Sequence, residues 1–342
     1  MLKPKMYSYE EYPVDNRTTE GMKEIVGNPD LLNVQWRHNI EYLDRGGVKL
    51  HLQILEPLRI IDEYMPLERF NKKRKWPTIV YIPGSGWLKQ EVKNSVHNLS
   101  KMVERGFLVA IVEYRPSDSN VVQVDTSETR EHLQFRKLCT EEEYKPTDRA
   151  PFPAQVKDAK EAIRFLKRNA EKYNIDSDKI VIWGDSSGGH TATLVAMTGE
   201  RCLTEISDDG FNCSVKGCID YYAPSDMTKG NLDPCLLDFN SADGLAGFLI
   251  GGKNVLENSD LIEPTIITNY IEKEVVIPPI LIFHGDKDRI IPFSQSLHLF
   301  NKLREEAKDV NLYKVKNADH GGASFWTDKV LDIVQEFIKR TT

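Results

Sequence analysis

Cysteine is scarce in this chain. There are five in 342 residues, Cys139, Cys202, Cys213, Cys218 and Cys235. An odd count without a C-x-x-C pair argues against a disulfide framework and a thiolate zinc site. Reduced thiols and a cytoplasmic location are the expectation. No uninterrupted apolar run is long enough to span a bilayer. Met1 to Glu20 carries Lys3, Lys5, Glu10 and Glu11 and has no apolar stretch of the signal-peptide kind. Positive charge is also lacking. Lys and Arg number 45 against 52 Asp and Glu, a formal net charge of -7, so no nucleic-acid partner is expected. Repeats and low-complexity tracts are absent. What remains is an ordinary soluble composition, 40% hydrophobic and 28% charged. At this length it suits one large domain with a sizeable core. Residues 1–35 read as an N-terminal extension of that single domain.

From Trp36 the pattern becomes regular. Leu50, Leu52 and Ile54 alternate with His51 and Gln53, as in a half-buried strand, and Gly46-Gly47 can turn a hairpin from a strand around Ile40 to Leu43. Apolar runs at Thr78–Ile82, Leu108–Tyr114, Ile180–Trp183, Gly217–Tyr222, Ile280–Phe283 and Leu312–Val315 predict further strands. Val156, Ala159, Ile163, Leu166 and Ala170 recur at helical spacing, as do Val330, Ile333, Val334 and Phe337. Strands alternating with amphipathic helices predict an α/β fold, a mostly parallel sheet covered on both faces. Three connections exceed the usual length. Pro57–Trp76 is expected at the end of the sheet opposite the site. Ser117–Ala150 and Ala223–Val275 follow central strands, so they leave from the edge where ligands bind. Both are candidate lids (residues 117–150 and 223–275), with surface elaboration or an oligomer contact as the alternative.

The strongest motif is Gly184-Asp185-Ser186-Ser187-Gly188-Gly189, between a strand and an apolar helix. A G-x-S-x-G in that context is a nucleophile elbow, with the glycines keeping side chains off neighbouring backbone. The amide of Ser187, at the helix N-terminus, faces any developing oxyanion. Serine needs a general base, usually histidine. Of eight histidines, His320 lies in a turn after the last strand, within Asn317-Ala318-Asp319-His320-Gly321-Gly322. His284 ends a strand and His190 sits in the helix after the nucleophile, and both read as packed. His38, His51, His97, His132 and His298 lack a turn context. The base needs an orienting carboxylate. Asp286 and Asp288 share the turn after a buried strand. Ser, Asp, His in that chain order is the α/β-hydrolase order. The second oxyanion donor should come from Pro83-Gly84-Ser85-Gly86-Trp87, whose small residues let amides approach a ligand.

Taken together, these motifs resemble the esterase/lipase branch of the α/β-hydrolases, nearest the feruloyl-esterase-like and hormone-sensitive-lipase-like groups, over roughly Ile40 to Ile338. Tyr114-Arg115, Pro151-Phe152-Pro153-Ala154-Gln155 and the run Asp176 to Gly189 are similar to the groups' own segments. The resemblance implies an α/β-hydrolase fold, an acid at Asp288 rather than Asp286, and oxyanion amides at Ser85, Gly86 and Ser187. The chain departs from the usual His-Gly-Gly-Gly. Pro83 loses an amide and fixes φ, and Ser85 would add a hydroxyl beside the oxyanion. The insertion after Arg115 is also longer than in simple members.

The expected reaction is cleavage of a small acyl or aryl ester through an acyl-enzyme, without metal or organic cofactor. Ser186 attacks, His320 moves the proton and Asp288 holds the imidazole. An amidase or peptidase would use the same triad. A non-catalytic binding protein on the same fold would lack a triad member. Trp87 has two readings, a wall of the acyl pocket or a core tryptophan. Arg115 likewise either touches substrate or pairs with a buried carboxylate. The expected partner is a small-molecule ester, with no membrane and with a homo-oligomer as an open possibility.

Overall fold

The computed structural model describes residue 7 and residues 9–59, 74–123, 134–205 and 210–342. The chain opens with a hairpin, β1 (Leu32–Arg45) and β2 (Val48–Arg59), turned at Gly46-Gly47 with φ of 62° and 95°. β3 (Trp76–Ile82), helix α1 (Val96–Glu104) and β4 (Leu108–Val112) follow. A small hairpin, β5 (Val121–Gln123) with β6 (Phe135–Lys137), precedes α2 (Ala154–Arg168). Then come β7 (Ile175–Asp185), α3 (Ser187–Thr198), β8 (Cys218–Tyr221) and β9 (Ile280–Gly285). α4 (Ser294–Glu305), β10 (Val310–Val315) and α5 (Asp328–Thr341) complete the chain.

Among the described residues eight strands form one sheet in the order β1-β2-β4-β3-β7-β8-β9-β10. Six, from β4 to β10, run parallel; β2 is antiparallel to β4 and to β1. Alternation along the central strands separates two cores. Ile79, Tyr81, Val181 and Trp183 point to the face covered by Leu99, Met102 and Val103 of α1 and Leu331 and Val334 of α5. Val80, Ile82, Ile180 and Ile182 point to the face covered by α2, α3 and α4. Each such side chain, fully buried, contributes about 1.5–3 kcal/mol. This is the α/β-hydrolase architecture that the motifs imply.

One expectation is corrected. The alternation of Leu50, Leu52 and Ile54 predicts a half-buried strand, yet Gln53 is buried too. β2 lies inside the sheet, and Gln53 meets its polar needs across the hairpin, accepting from the Asn39 amide at 3.2 Å and donating to Asn39 Oδ1 at 3.3 Å. Of the segment Pro57–Trp76, residues 60–73 lie outside the described residues, as do 124–133 of Ser117–Ala150 and with them His132. Because β2 runs against β4, the Arg59 end and the start of β3 do lie away from the carboxyl ends of the parallel strands.

Candidate active site

β7 ends at Asp185 and α3 begins at Ser187, so the whole reversal falls on Ser186, at φ 53° and ψ −126°. A non-glycine in this region carries strain of about 1–3 kcal/mol and persists only where its surroundings over-determine it. Here the Ser186 amide donates to Tyr221 O at 2.8 Å and its carbonyl accepts from the His190 amide at 3.0 Å. The flanking glycines are sterically required. A Cβ on Gly184 would lie 2.2 Å from Gly188 O, and one on Gly188 would lie 2.0 Å from Ile82 O. The G-x-S-x-G spacing is thus a packing constraint between two strands and a helix.

The three candidates for nucleophile, base and acid come together. His320 Nε2 lies 2.9 Å from Ser186 Oγ, and His320 Nδ1 lies 2.8 Å from Asp288 Oδ2. The other oxygen of Asp288 accepts from the amides of Ile290 and Ile291 at 2.9 and 2.8 Å. Burial opposes the charge on Asp288, but hydrogen bonds from His284 and His320 outweigh it and hold the carboxyl well below the usual range. Asp286 is excluded from the set; its Oδ1 accepts from the Asn317 amide. The Tyr222 ring stands edge-on against His320, centroids 4.7 Å apart, and Asp319 accepts from the His320 amide at 2.8 Å while ion-pairing with Arg289.

The oxyanion loop differs from expectation in one donor. The Ser85 amide donates to Ser187 Oγ at 2.9 Å, so it is engaged rather than open. The Ser85 hydroxyl is no neighbour of an oxyanion either. It donates to Leu88 O at 2.7 Å and meets Tyr114 Oη at 3.1 Å. Among the described residues the amides of Gly86 and Ser187 make no such bond. The loop is tied to the elbow by Asp185, whose Oδ1 accepts from Tyr81 Oη at 2.6 Å and the Gly84 amide at 2.9 Å. Sequence reasoning passed over Asp185, although its place inside the motif was a signal.

Two hollows meet at Ser186. One is narrow and is lined by Gly86, Trp87, Leu237, Phe239, Ala246 and Ile291 among others. The other is an open, wider groove that includes His320, Arg289, Lys89, Gln123 and Phe135. Trp87 is a core tryptophan that also borders the small hollow. Its ring lines the small hollow and is nearly buried, with Nε1 donating to His190 Nδ1 at 3.2 Å. His190 in turn donates from Nε2 to Thr265 O at 2.8 Å, and burial pushes its pKa down to about 4, so it packs as a neutral ring. Arg115 lines neither hollow, which corrects its reading as a substrate contact. Its guanidinium grips the buried Asp158 through Nε and Nη2 at 2.8 and 2.7 Å. The two long segments supply walls. Val121, Gln123 and Phe135 come from 117–150, and Leu237, Phe239 and Ala246 from 223–275. Leu237 and Phe239 lie on an irregular stretch between short helices and Ala246 on a five-residue helix, with no long amphipathic period to make their role legible in the sequence. Among the described residues no three His, Cys, Asp or Glu side chains gather as metal ligands would, and no helix is long and apolar enough to cross a membrane.

Residues 61–139 and 138–303 match the family model BD-FAE. The esterase LipQ of Mycobacterium tuberculosis is 25% identical over 271 residues, covering 78% of this chain and 55% of that protein. The chain spans about half the length of the curated relatives it matches first. Among solved structures, a truncated form of carbohydrate esterase from gut microbiota superposes with a TM-score of 0.69 at 24% identity, over 92% of this chain and 98% of that one. The Thermogutta terrifontis esterase Est2 with propionate bound gives 0.61 at 20% identity, over 92% and 96%. At such identities the two structures speak for the fold.

Proposed function

The chain belongs to the BD-FAE family, and we propose on that premise that it is a carboxylic ester hydrolase working through Ser186, His320 and Asp288. The observation that carries this reading is the continuous relay from Ser186 Oγ through His320 to Asp288 Oδ2, with links of 2.9 and 2.8 Å. A relative named as an esterase supports it. In the reaction His320 Nε2 takes the Ser186 proton as the hydroxyl attacks the ester carbonyl. The Gly86 and Ser187 amides receive the oxyanion, each donor worth on the order of 10²–10³ in rate. His320 then returns the proton to the departing alcohol, and water repeats the cycle to release the acid.

Proton return sets which hollow takes which half of the ester. The alcohol oxygen must face His320 Nε2, and His320 lines the open groove but not the small hollow. The alcohol therefore leaves through the groove, and a short acyl group enters the narrow apolar hollow. In this reading segments 117–150 and 223–275 wall the two sides as cap elements. The cysteine usage supports a cytoplasmic setting. The test is a panel of p-nitrophenyl esters of increasing chain length and matched anilides, with Ser186→Ala as control. Short esters should turn over best, and Ser186→Ala should lose at least about 10⁴-fold in kcat. Anilide turnover without ester turnover, or full activity in Ser186→Ala, would overturn the reading.

A further inference from the structure

His284 is the second-last residue of β9, fully buried, and lines neither hollow at Ser186. Its Nε2 lies 2.9 Å from Ile291 O, which can only accept, so Nε2 carries the ring proton. Nδ1 lies 2.7 Å from Ser296 Oγ, a hydroxyl that can complete the ring's hydrogen bonding. The same Nε2 lies 3.3 Å from Asp288 Oδ2, the oxygen that His320 uses. We propose that His284 is a positioning residue for ester hydrolysis. Bonded through Nδ1 to Ser296, it shares its Nε2 proton between Ile291 O and Asp288 Oδ2 and so both orients the acid and draws down its basicity toward His320. The proposal rests on the ester-hydrolase reading above.

The consequence has a definite sign. Asp288 has four donors, the amides of Ile290 and Ile291 on one oxygen and the rings of His284 and His320 on the other. Losing the His284 donor leaves more negative charge on Oδ2. That charge stabilises the His320 imidazolium, so the base stays protonated to a higher pH. Hydrolysis needs neutral His320, and the acid limb of kcat/KM must move upward. The other groups facing this set are Asp220 at the end of β8, Asp185 at the end of β7, Tyr222, Cys235 and the Arg289–Asp319 ion pair. Asp220 matters most as a competitor, because burial pushes it up to about 6.

The experiment is the pH profile of kcat/KM on p-nitrophenyl acetate for the full chain and the variants His284→Phe, His284→Gln and Ser296→Ala. His284→Phe should raise the acid limb by on the order of half a pH unit and lower the plateau by up to about tenfold. His284→Gln, which keeps an N–H donor at similar reach, should restore the limb. Ser296→Ala frees the ring tautomer and should shift the limb the same way by less; it reports even where the Phe variant fails to fold. The shifts should persist in an Asp220→Asn background. A limb unchanged in both His284→Phe and Ser296→Ala, a limb that Gln does not restore, or a shift that disappears with Asp220→Asn overturns the proposal. These outcomes leave the hydrolase reading intact as long as activity still depends on Ser186.

Discussion

The residues of the relay and the residues of the walls are held in place by different means. Ser186 follows β7 directly, Asp288 stands three residues after β9, and His320 five after β10. β7, β8, β9 and β10 are joined edge to edge by parallel ladders, so the backbone itself sets the spacing of Ser186, Asp288 and His320. The walls have no such frame. Trp87, Leu237, Phe239 and Ala246 belong to a separate hydrophobic cluster, with Met227 and Leu249, built largely from one long connection. In the proposed reading, reaction chemistry is thus carried by regular hydrogen bonding, and the choice of substrate by side-chain packing. The second can change while the first stays put.

The comparison is broken most severely by adding a single carbon to the frame. Gly188→Ala places a Cβ 2.0 Å from Ile82 O, a backbone atom of the central sheet that cannot move aside. The expected outcome is loss of folded enzyme or a stability deficit above about 4 kcal/mol, read by thermal denaturation and by the absence of turnover. A soluble Gly188→Ala protein with wild-type kcat would show that the elbow is not a rigid part of the frame.

The joint between frame and walls comes next. Arg115 lies at the root of segment 117–150 and ties it to Asp158 on α2. Arg115→Met abandons a fully buried carboxylate, with an expected cost of about 3–5 kcal/mol. Burial already raises the Asp158 pKa, and Arg115 opposes the rise. Without Arg115 the folded-state value climbs further above the unfolded one. The folded protein then binds the extra proton, and stability falls as pH rises through that window. Denaturation should therefore show a larger deficit at pH 8 than at pH 5, while KM for a short ester stays unchanged. A raised KM with unaltered stability would return Arg115 to the substrate site.

Legibility in the sequence follows the same division. The elbow could be read because its constraint spans five residues, from Gly184 to Gly188, and is steric. His320 stood out by its turn after the last strand. Asp288 and Asp286 could not be separated by position, since both lie in one turn; what separates them is the Asn317 amide, 31 residues on, which takes Asp286. The engagement of the Ser85 amide was invisible for the same reason, its partner Ser187 Oγ being 102 residues away. His284 reads as packed from its place at a strand end, and it is buried, but its second contact with Asp288 is a matter of ring orientation. Leu237 and Phe239 gave no periodic signal because the chain around them runs through short turns.

The smallest expected effect tests the walls alone. Leu237 and Asp238 line the small hollow on one side and a separate surface hollow of about 660 Å³ on the other, together with Gln134, Phe135 and Ser241. The side chain of Leu237 is thus part of the partition between the two. Leu237→Ala removes three carbons from that partition without touching Ser186, His320 or Asp288. An acyl chain too long for the small hollow then gains a way through. The preference for hexanoyl over acetyl esters, as a ratio of kcat/KM, should rise about tenfold, in line with the 1–3 kcal/mol that one or two methylenes in an apolar pocket are worth. The acid limb of the pH profile should not move, because no donor to Asp288 is altered. If the chain-length ratio stays constant, the acyl group does not occupy this hollow, and the assignment of the two sides must be exchanged. If the pH limb moves with it, wall and frame are coupled, and the separation between them fails.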